Sequence, residues 1–269
     1  MTIHNAKTLT RRHALGLGAA GLSGLCLSQL GARGAFAQDA MGGDMMSEMI
    51  ETGEGGVTIL PVNHASLALK AGDTVIYADP VGDPGAYADL PPPNLILITH
   101  EHGDHYNADT LAALAGDSVP LITNPAVYGM LPDSLKARAT AIGNGESAEG
   151  AGVSFDAVPA YNITEDRLNY HPQGRDNGYV FTLGGARIYL AGDTEATPEF
   201  RAQTGIDLAF VPMNLPFTMD VGQAADGVIE MAPKVIYPYH YRGSNLEAFK
   251  QMVDEAGKDI EVRLYDWYA

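Results

Sequence analysis

From residue 57 onward, short apolar runs alternate with breaks rich in glycine, aspartate and asparagine. Apolar or alternating runs of about four to eight residues between such breaks read as strands. Residues 57–62, 66–69 and 74–78 predict three opening strands, the last two joined by a turn at Gly72-Asp73. Leu95-Ile96-Leu97-Ile98-Thr99 predicts a buried strand. Residues 153–158, 179–183 and 187–191 predict a second group, with a hairpin turn at Gly184-Gly185. Further strands are predicted at 206–211, 235–237 and 260–264. Helices are predicted at 109–115 with Asp109 as N-cap, at 222–231, and at 246–256 after Ser244 or Asn245. The order is that of two β-rich halves with helices on their outsides, and no repeat is evident.

The first 37 residues differ. Thr10-Arg11-Arg12-His13-Ala14-Leu15 is followed by a weakly apolar, glycine-rich stretch to Ala32 and by Ala35-Phe36-Ala37, a small-x-small cleavage pattern before Gln38. This resembles a twin-arginine signal and predicts a periplasmic protein. A membrane anchor is the alternative, but frequent glycine with Ser23, Ser28 and Gln29 breaks up the roughly 20 apolar residues that a span needs. Residues 38–56 are polar, glycine-rich and aperiodic, with Met41, Met45, Met46 and Met49, and read as a mobile linker. Residues 57–269 then form one domain, long enough for a single large core.

Charge and cysteine narrow the chemistry. The formal net charge is −17, and the four cations among residues 1–37 are unmatched by any acid there, so the remainder is more acidic still. Such a field disfavours nucleic acid and anionic membrane surfaces and leaves a small molecule as the expected partner. The single cysteine, Cys26, lies in the signal, and Leu25 stands before it where a lipoprotein site needs a small residue. The mature chain therefore has neither a disulfide nor a thiolate metal ligand.

Six histidines lie beyond residue 37, and three of them fall in Thr99-His100-Glu101-His102-Gly103-Asp104-His105-Tyr106, directly after the 95–99 strand. Neutral imidazole is a good ligand for zinc, iron or nickel, and a carboxylate adds charge neutralisation. In an extended loop His100 and His102 would grip one ion, while Asp104 and His105, displaced along the chain, would grip a second. A chance cluster of solvated histidines is the bland alternative; the density of the run argues against it.

The His-x-His-x-Asp-His run resembles the signature of the metallo-β-lactamase superfamily. The resemblance implies an αββα four-layer sandwich and a site for two divalent ions, zinc first, with manganese or iron as alternatives. It also implies a bridging carboxylate after a later strand, which Ala191-Gly192-Asp193-Thr194 supplies; by itself Gly-Asp-Thr is ordinary turn chemistry. A last ligand is expected near the C-terminus, where His240 follows Tyr237-Pro238-Tyr239; a packed aromatic neighbour is the alternative. The remaining ligand is less regular. Asn162, in Ala160-Tyr161-Asn162, stands where relatives carry histidine. A branch of the superfamily with this Ala-Tyr-Asn then His-Pro pattern gives the role to His171; a surface-loop His171, with Asn162 or no protein group as ligand, is the alternative. Site one would be His100, His102 and His171, site two Asp104, His105 and His240, with Asp193 bridging. His64 and Asp79 are expected beside the metals, His64 with Asp104 in a catalytic role, although Asp79-Pro80 is also common turn chemistry.

Two ions about 3.5–4 Å apart can share a hydroxide and polarise the scissile group. The expected activity is metal-dependent hydrolysis of a small ester or lactone, since the pattern most resembles the branch that includes ascorbate-6-phosphate lactonase. A phosphodiesterase and a non-catalytic metal-binding protein are the alternatives. Tyr161, Asn162, Tyr239 and Arg242 are candidate substrate contacts, each near a proposed ligand, and residues 164–177 are a candidate lid. Oligomeric state has no signature here.

Overall fold

The computed structural model describes residues 47–268. The predicted signal and residues 38–46 of the predicted linker lie outside the described residues. The first sheet contains β1 (Glu48–Ile50), β2 (Val57–Asn63), β3 (Ser66–Ala71), β4 (Thr74–Ala78), β5 (Leu95–Leu97), β6 (Leu121–Thr123) and β7 (Ala139–Ala141), in that spatial order. The second contains β8 (Ser147–Gly150), β9 (Val153–Ala160), β10 (Asp176–Leu183), β11 (Ala186–Leu190), β12 (Leu208–Pro212), β13 (Val235–Tyr239) and β14 (Glu261–Val262), again in chain order. Strands β1 to β4 pair antiparallel and β4 to β7 parallel. The second sheet repeats this, antiparallel from β8 to β11 and parallel from β11 to β14.

The parallel steps need crossovers, and helices supply most of them. In the first half these are α1 (Ala108–Ala115), α2 (Pro125–Met130) and α3 (Asp133–Lys136); in the second, α4 (Pro198–Arg201), α5 (Val221–Met231) and α6 (Leu246–Glu255). Leu111, Val127 and Leu135 from the first set pack on one face of the first sheet, against Tyr77, Ile96 and Leu121. Phe200, Val228 and Phe249 from the second set pack on the outer face of the second sheet, against Tyr189, Ala209 and Ile236. The inner faces meet through Ile59, Leu67, Ile76 and Leu97 on one side and Phe155, Phe181, Ile188 and Phe210 on the other. The layers are therefore helix, sheet, sheet, helix, as the resemblance implied. Each fully buried Leu, Ile or Phe in this core contributes about 1.5–3 kcal/mol.

The local signals explain much of the course. Gly184 and Gly185, at φ 53° and 77°, make the two-residue hairpin between β10 and β11. The N-cap of α1 is Asn107, not the predicted Asp109: its side-chain Oδ1 accepts the Thr110 N–H at 2.9 Å, and Asp109 lies inside the first turn. Asp220 and Asn245 cap α5 and α6 in the same way. The expected linker over 38–56 needs a larger correction, because residues 48–50 pair with β2 as an edge strand. Ile50 is buried between the sheets, Glu48 pairs with Arg263 and accepts a hydrogen bond from Tyr237, and the Thr52 hydroxyl donates to the Gly184 carbonyl. Those partners lie more than 130 residues away, beyond the reach of a local pattern. Strands β6 to β8 and helices α2 to α4, too short for a clear period, were also not predicted. No helix among the described residues is long and apolar enough to cross a membrane.

Candidate metal centre

Every proposed ligand follows the carboxyl end of a strand, where side chains of an α/β sheet converge. The loop after β5 is a turn rather than the extended segment expected: the N–H groups of His105 and Tyr106 both donate to the His102 carbonyl, at 2.9 and 2.8 Å. That turn brings Asp104 and His105 round beside His100. The second sheet brings His171 from the loop after β9, Asp193 from beyond β11 and His240 from the end of β13. Gly192, at φ 65°, permits the approach before Asp193, since a Cβ there would meet the Asn177 carbonyl oxygen at 2.7 Å.

Asp193 lies in the middle. Its carboxylate oxygens are 3.4 Å from His105 Nε2, 3.4 Å from His171 Nε2, 3.2 Å from His240 Nε2 and 3.9 Å from His100 Nε2. His100 Nε2 is 3.1 Å from His102 Nδ1, and His240 Nε2 is 3.4 Å from Asp104 Oδ2. His100, His102 and His171 form one group whose ligand atoms lie within 4.8 Å of one another; His100, His105 and Asp193 form a second, and His64, Asp104 and His240 a third. All seven proposed ligands are thus gathered, with His171, not Asn162, beside His100 and His102.

The donor set fits a divalent ion on one further observation. His105 Nε2, His171 Nε2, His240 Nε2 and Asp193 Oδ1 are buried polar atoms without a hydrogen-bond partner. Such atoms cost about 1–3 kcal/mol each when left unpaired, and here they surround one point. For two of these histidines the opposite ring nitrogen is committed, while His240 Nδ1 has no partner either. His105 Nδ1 is 2.8 Å from Asp79 Oδ2, and His171 Nδ1 is 3.0 Å from Asp176 Oδ2. A carboxylate can only accept, so each imidazole donates from Nδ1, which leaves Nε2 as the nitrogen a metal would take in place of a proton. Asp79 is itself held by the Thr99 N–H and hydroxyl, at 2.8 and 2.7 Å, and Asp176 by Arg175, whose Nε also pairs with Glu101 at 2.9 Å.

Electrostatics follow from this crowding. Burial among other imidazoles keeps His100 well below its ordinary value. Burial would also lower His105, but Asp193 and Asp79 outweigh it and push it up to about 9. For Asp104 burial raises, while the facing imidazoles of His240 and His64 dominate and hold it far down the acid range. Burial likewise opposes Asp193 ionisation, and His240, His105 and His171 overcome it. His64, lowered first by burial, lies with its ring 3.8 Å from that of His240 and Nε2 3.2 Å from Asp104 Oδ2.

Backbone strain is concentrated here. His64, Asp79 and His240 have φ of 55°, 45° and 45°, three of the five non-glycine residues with positive φ among those described. Each costs on the order of 1–3 kcal/mol and persists only where its surroundings impose it. A register shift in β2 at Pro61 to Asn63 turns the chain just before His64, whose carbonyl accepts the His240 N–H at 2.9 Å.

The four candidate substrate contacts fare differently. Tyr239 is wholly buried between the sheets beside Phe210 and Trp267, and its hydroxyl has no hydrogen-bond partner. The Tyr161 hydroxyl is committed to Glu199 on α4 at 2.8 Å, and burial together with that carboxylate pushes it up to about 12. The Asn162 amide donates to the carbonyls of Arg167 and Phe217, tying two loops together. Arg242 alone is exposed; it stacks over Tyr268 at 5.1 Å and lines an open groove of about 540 Å³ with Leu215, Asp220 and Ser244. An adjoining hollow of about 440 Å³ shares Leu215 and Asp220 and reaches Arg167 and Tyr170. The candidate lid at 164–177 is anchored: buried Glu195 accepts the Thr164 N–H at 2.7 Å and pairs with Arg167 at 2.9 Å. Residues not predicted are Asp176, Thr99, Glu195, the Glu101–Arg175 pair and Tyr268. Asp176 starts β10 three residues before the predicted strand, and an acid five residues after His171 was its only local sign.

The comparisons agree with this geometry. The family described as a beta-lactamase superfamily domain matches residues 58–240. A UPF0173 metal-dependent hydrolase from Pyrococcus abyssi is 31% identical over 217 residues, covering 75% of this chain and 94% of that protein. One from Thermus thermophilus is 30% identical over 212 residues, covering 75% and 93%. Among solved structures, a protein named as a metal-dependent hydrolase from Parabacteroides distasonis is 36% identical with a TM-score of 0.75, covering 82% of this chain and 99% of that one. A metallo hydrolase from Ignicoccus hospitalis, 21% identical with a TM-score of 0.65 and coverage of 79% and 96%, shares the fold. Sequence, fold and ligand cluster together make this chain a member of the metallo-β-lactamase superfamily and a metal-dependent hydrolase related to the UPF0173 group.

Proposed function

We propose that the protein hydrolyses a small ester or lactone with two divalent ions, zinc in the first instance. His100, His102 and His171 would hold one ion, Asp104, His105 and His240 the other, with Asp193 between them. Ions bound there supply Lewis acidity and bring the ionisation of water toward neutral pH. The chain's own part is orientation. Asp79 and Asp176 fix the rings of His105 and His171, and Asp104, with His64 beside it, is the candidate to align the attacking water. The carrying observation is the set of four buried, partnerless ligand atoms around Asp193.

Exposed Arg242 in the groove favours a substrate that carries an anionic group, because a guanidinium pairs well with carboxylate or phosphate. An anionic lactone, of the kind the ascorbate-6-phosphate branch takes, fits this reading; a small phosphodiester is the second reading the same residue supports. Elemental analysis of protein starting at Gln38, followed by a screen of lactones against phosphodiesters, is the test. About two ions per chain with lactone turnover supports the first reading, and diester turnover supports the second. One ion or fewer after adding zinc, manganese or iron overturns the two-ion mechanism. We also propose export through residues 1–37; a periplasmic protein whose first residue is Gln38 supports this, and an uncleaved cytosolic chain overturns it.

A further inference from the structure

The segment after β14 enters the site from outside every ligand-bearing loop. The Trp267 carbonyl accepts the His64 N–H at 3.2 Å. The Tyr268 hydroxyl oxygen accepts the Tyr241 N–H at 3.1 Å and lies 2.7 Å from His64 Nδ1. Tyr241 in turn donates its hydroxyl to the Tyr265 carbonyl and accepts the Trp267 N–H. Residues 265–268 are thereby tied both to His64, at the end of β2, and to the residue after His240.

The proton positions follow from the partners. The Tyr268 oxygen accepts from Tyr241 and has one proton to give, which it can donate to His64 Nδ1 where that nitrogen is unprotonated. At the other end of the ring, Nε2 faces Asp104 Oδ2 at 3.2 Å, and an ionised carboxylate can only accept. In the neutral ring the carboxylate places the proton on Nε2, and the phenol matches it by donating to Nδ1.

We propose that Tyr268 is a positioning residue: its hydroxyl fixes His64 as the Nε2–H tautomer, which donates to Asp104 and is thereby withheld from the metal. The second half of that statement decides a real ambiguity. His64, Asp104 and His240 lie close enough to act as three ligands, and an unprotonated Nε2 would make His64 a competitor for the ion. A protonated Nε2 has no lone pair to offer, so His64 orients Asp104 and leaves the ion to Asp104, His105 and His240. The inference on Asp104 as a ligand rests on the two-ion reading above; the tautomer does not.

The test uses the full mature chain with ¹⁵N-histidine, read by long-range proton–nitrogen NMR, with His64 assigned by its loss in His64→Gln. Metal-free wild type is expected to show His64 protonated on Nε2, and Tyr268→Phe to lose that preference. Tyr268→Phe keeps the ring against Tyr241 and Arg242, so the fold is retained. Cobalt titration is expected to show the second ion bound about 10–100-fold more weakly in Tyr268→Phe, as for other groups that orient ligands, with the first ion unchanged. In a His64→Gln background, where the amide can donate to Asp104 without help, Tyr268→Phe should have no further effect. Protonation on Nδ1 in the metal-free wild type overturns the proposal, as does His64 Nε2 becoming a ligand on cobalt addition. So does a Tyr268→Phe protein with unchanged tautomer and cobalt affinity. A wild type that takes up no metal sinks the two-ion reading but leaves the tautomer result standing.

Discussion

The two halves of the molecule are built on one plan and loaded differently. Each has four strands paired antiparallel, then parallel strands with helical crossovers, and each turns the end of its fourth strand toward the same site. After β4 that position carries Asp79, and after β11 it carries Asp193. Asp79 holds a ligand ring from behind, whereas Asp193 lies among the ring nitrogens themselves. The first half supplies four of the proposed ligands from one turn of six residues, His100 to His105. The second supplies three from three separate loops. Equivalent scaffold positions therefore take unlike tasks, according to what faces them across the sandwich. The first half can pre-form its ligands locally, and the second depends on three crossovers being right at once.

The largest expected effect breaks the centre of this arrangement. Asp193→Ala should release at least one ion per chain and reduce hydrolysis to background, measured by elemental analysis and turnover; retention of two ions would remove Asp193 from its bridging role. Next come the two supporting carboxylates, one in each half. Asp79→Asn should weaken the ion held with His105, and Asp176→Asn the ion held with His171, each about 10–100-fold. Sequential metal titration distinguishes the two, and loss of the same ion in both variants would show that the halves do not serve separate sites.

A pH effect follows from His105, whose ionisation is raised from 6.5 to about 9 in the metal-free fold. The folded protein keeps a proton there that the unfolded chain releases near pH 6.5. The stability this contributes is complete below pH 6.5 and is lost as pH rises through 9. Melting of the metal-free protein should fall across that window, and His105→Gln should flatten the fall; equal slopes would discount the Asp79–His105–Asp193 contact. The smallest effect expected is at Tyr161→Phe, which removes one bond to Glu199 and should cost about 0.5–1.5 kcal/mol without changing KM. A large KM change there would return Tyr161 to the substrate site.

What was legible in the chain follows the same division. The His100 to His105 run declares itself because its ligands are neighbours in sequence. Asp193 and His240 were legible because each ends an apolar strand. The register that puts Asp176 behind His171 was not, nor was the strand at 48–50, whose partners Tyr237 and Arg263 lie far along the chain. The complete burial of Tyr239 was not legible either, because proximity in sequence to His240 says nothing about how deep a side chain lies between two sheets.

By itself the sequence pointed to the superfamily, the layered fold and a cluster of imidazoles and carboxylates suited to metal, because strand periodicity and a dense His-x-His-x-Asp-His run are local properties. Tertiary structure alone decided which nitrogens of His105 and His171 face the centre, which carboxylate lies behind a ring and which lies among the ring nitrogens, and that Tyr268 reaches His64. Those choices depend on hydrogen-bond partners brought together across two sheets, and no local pattern encodes a partner 204 residues away.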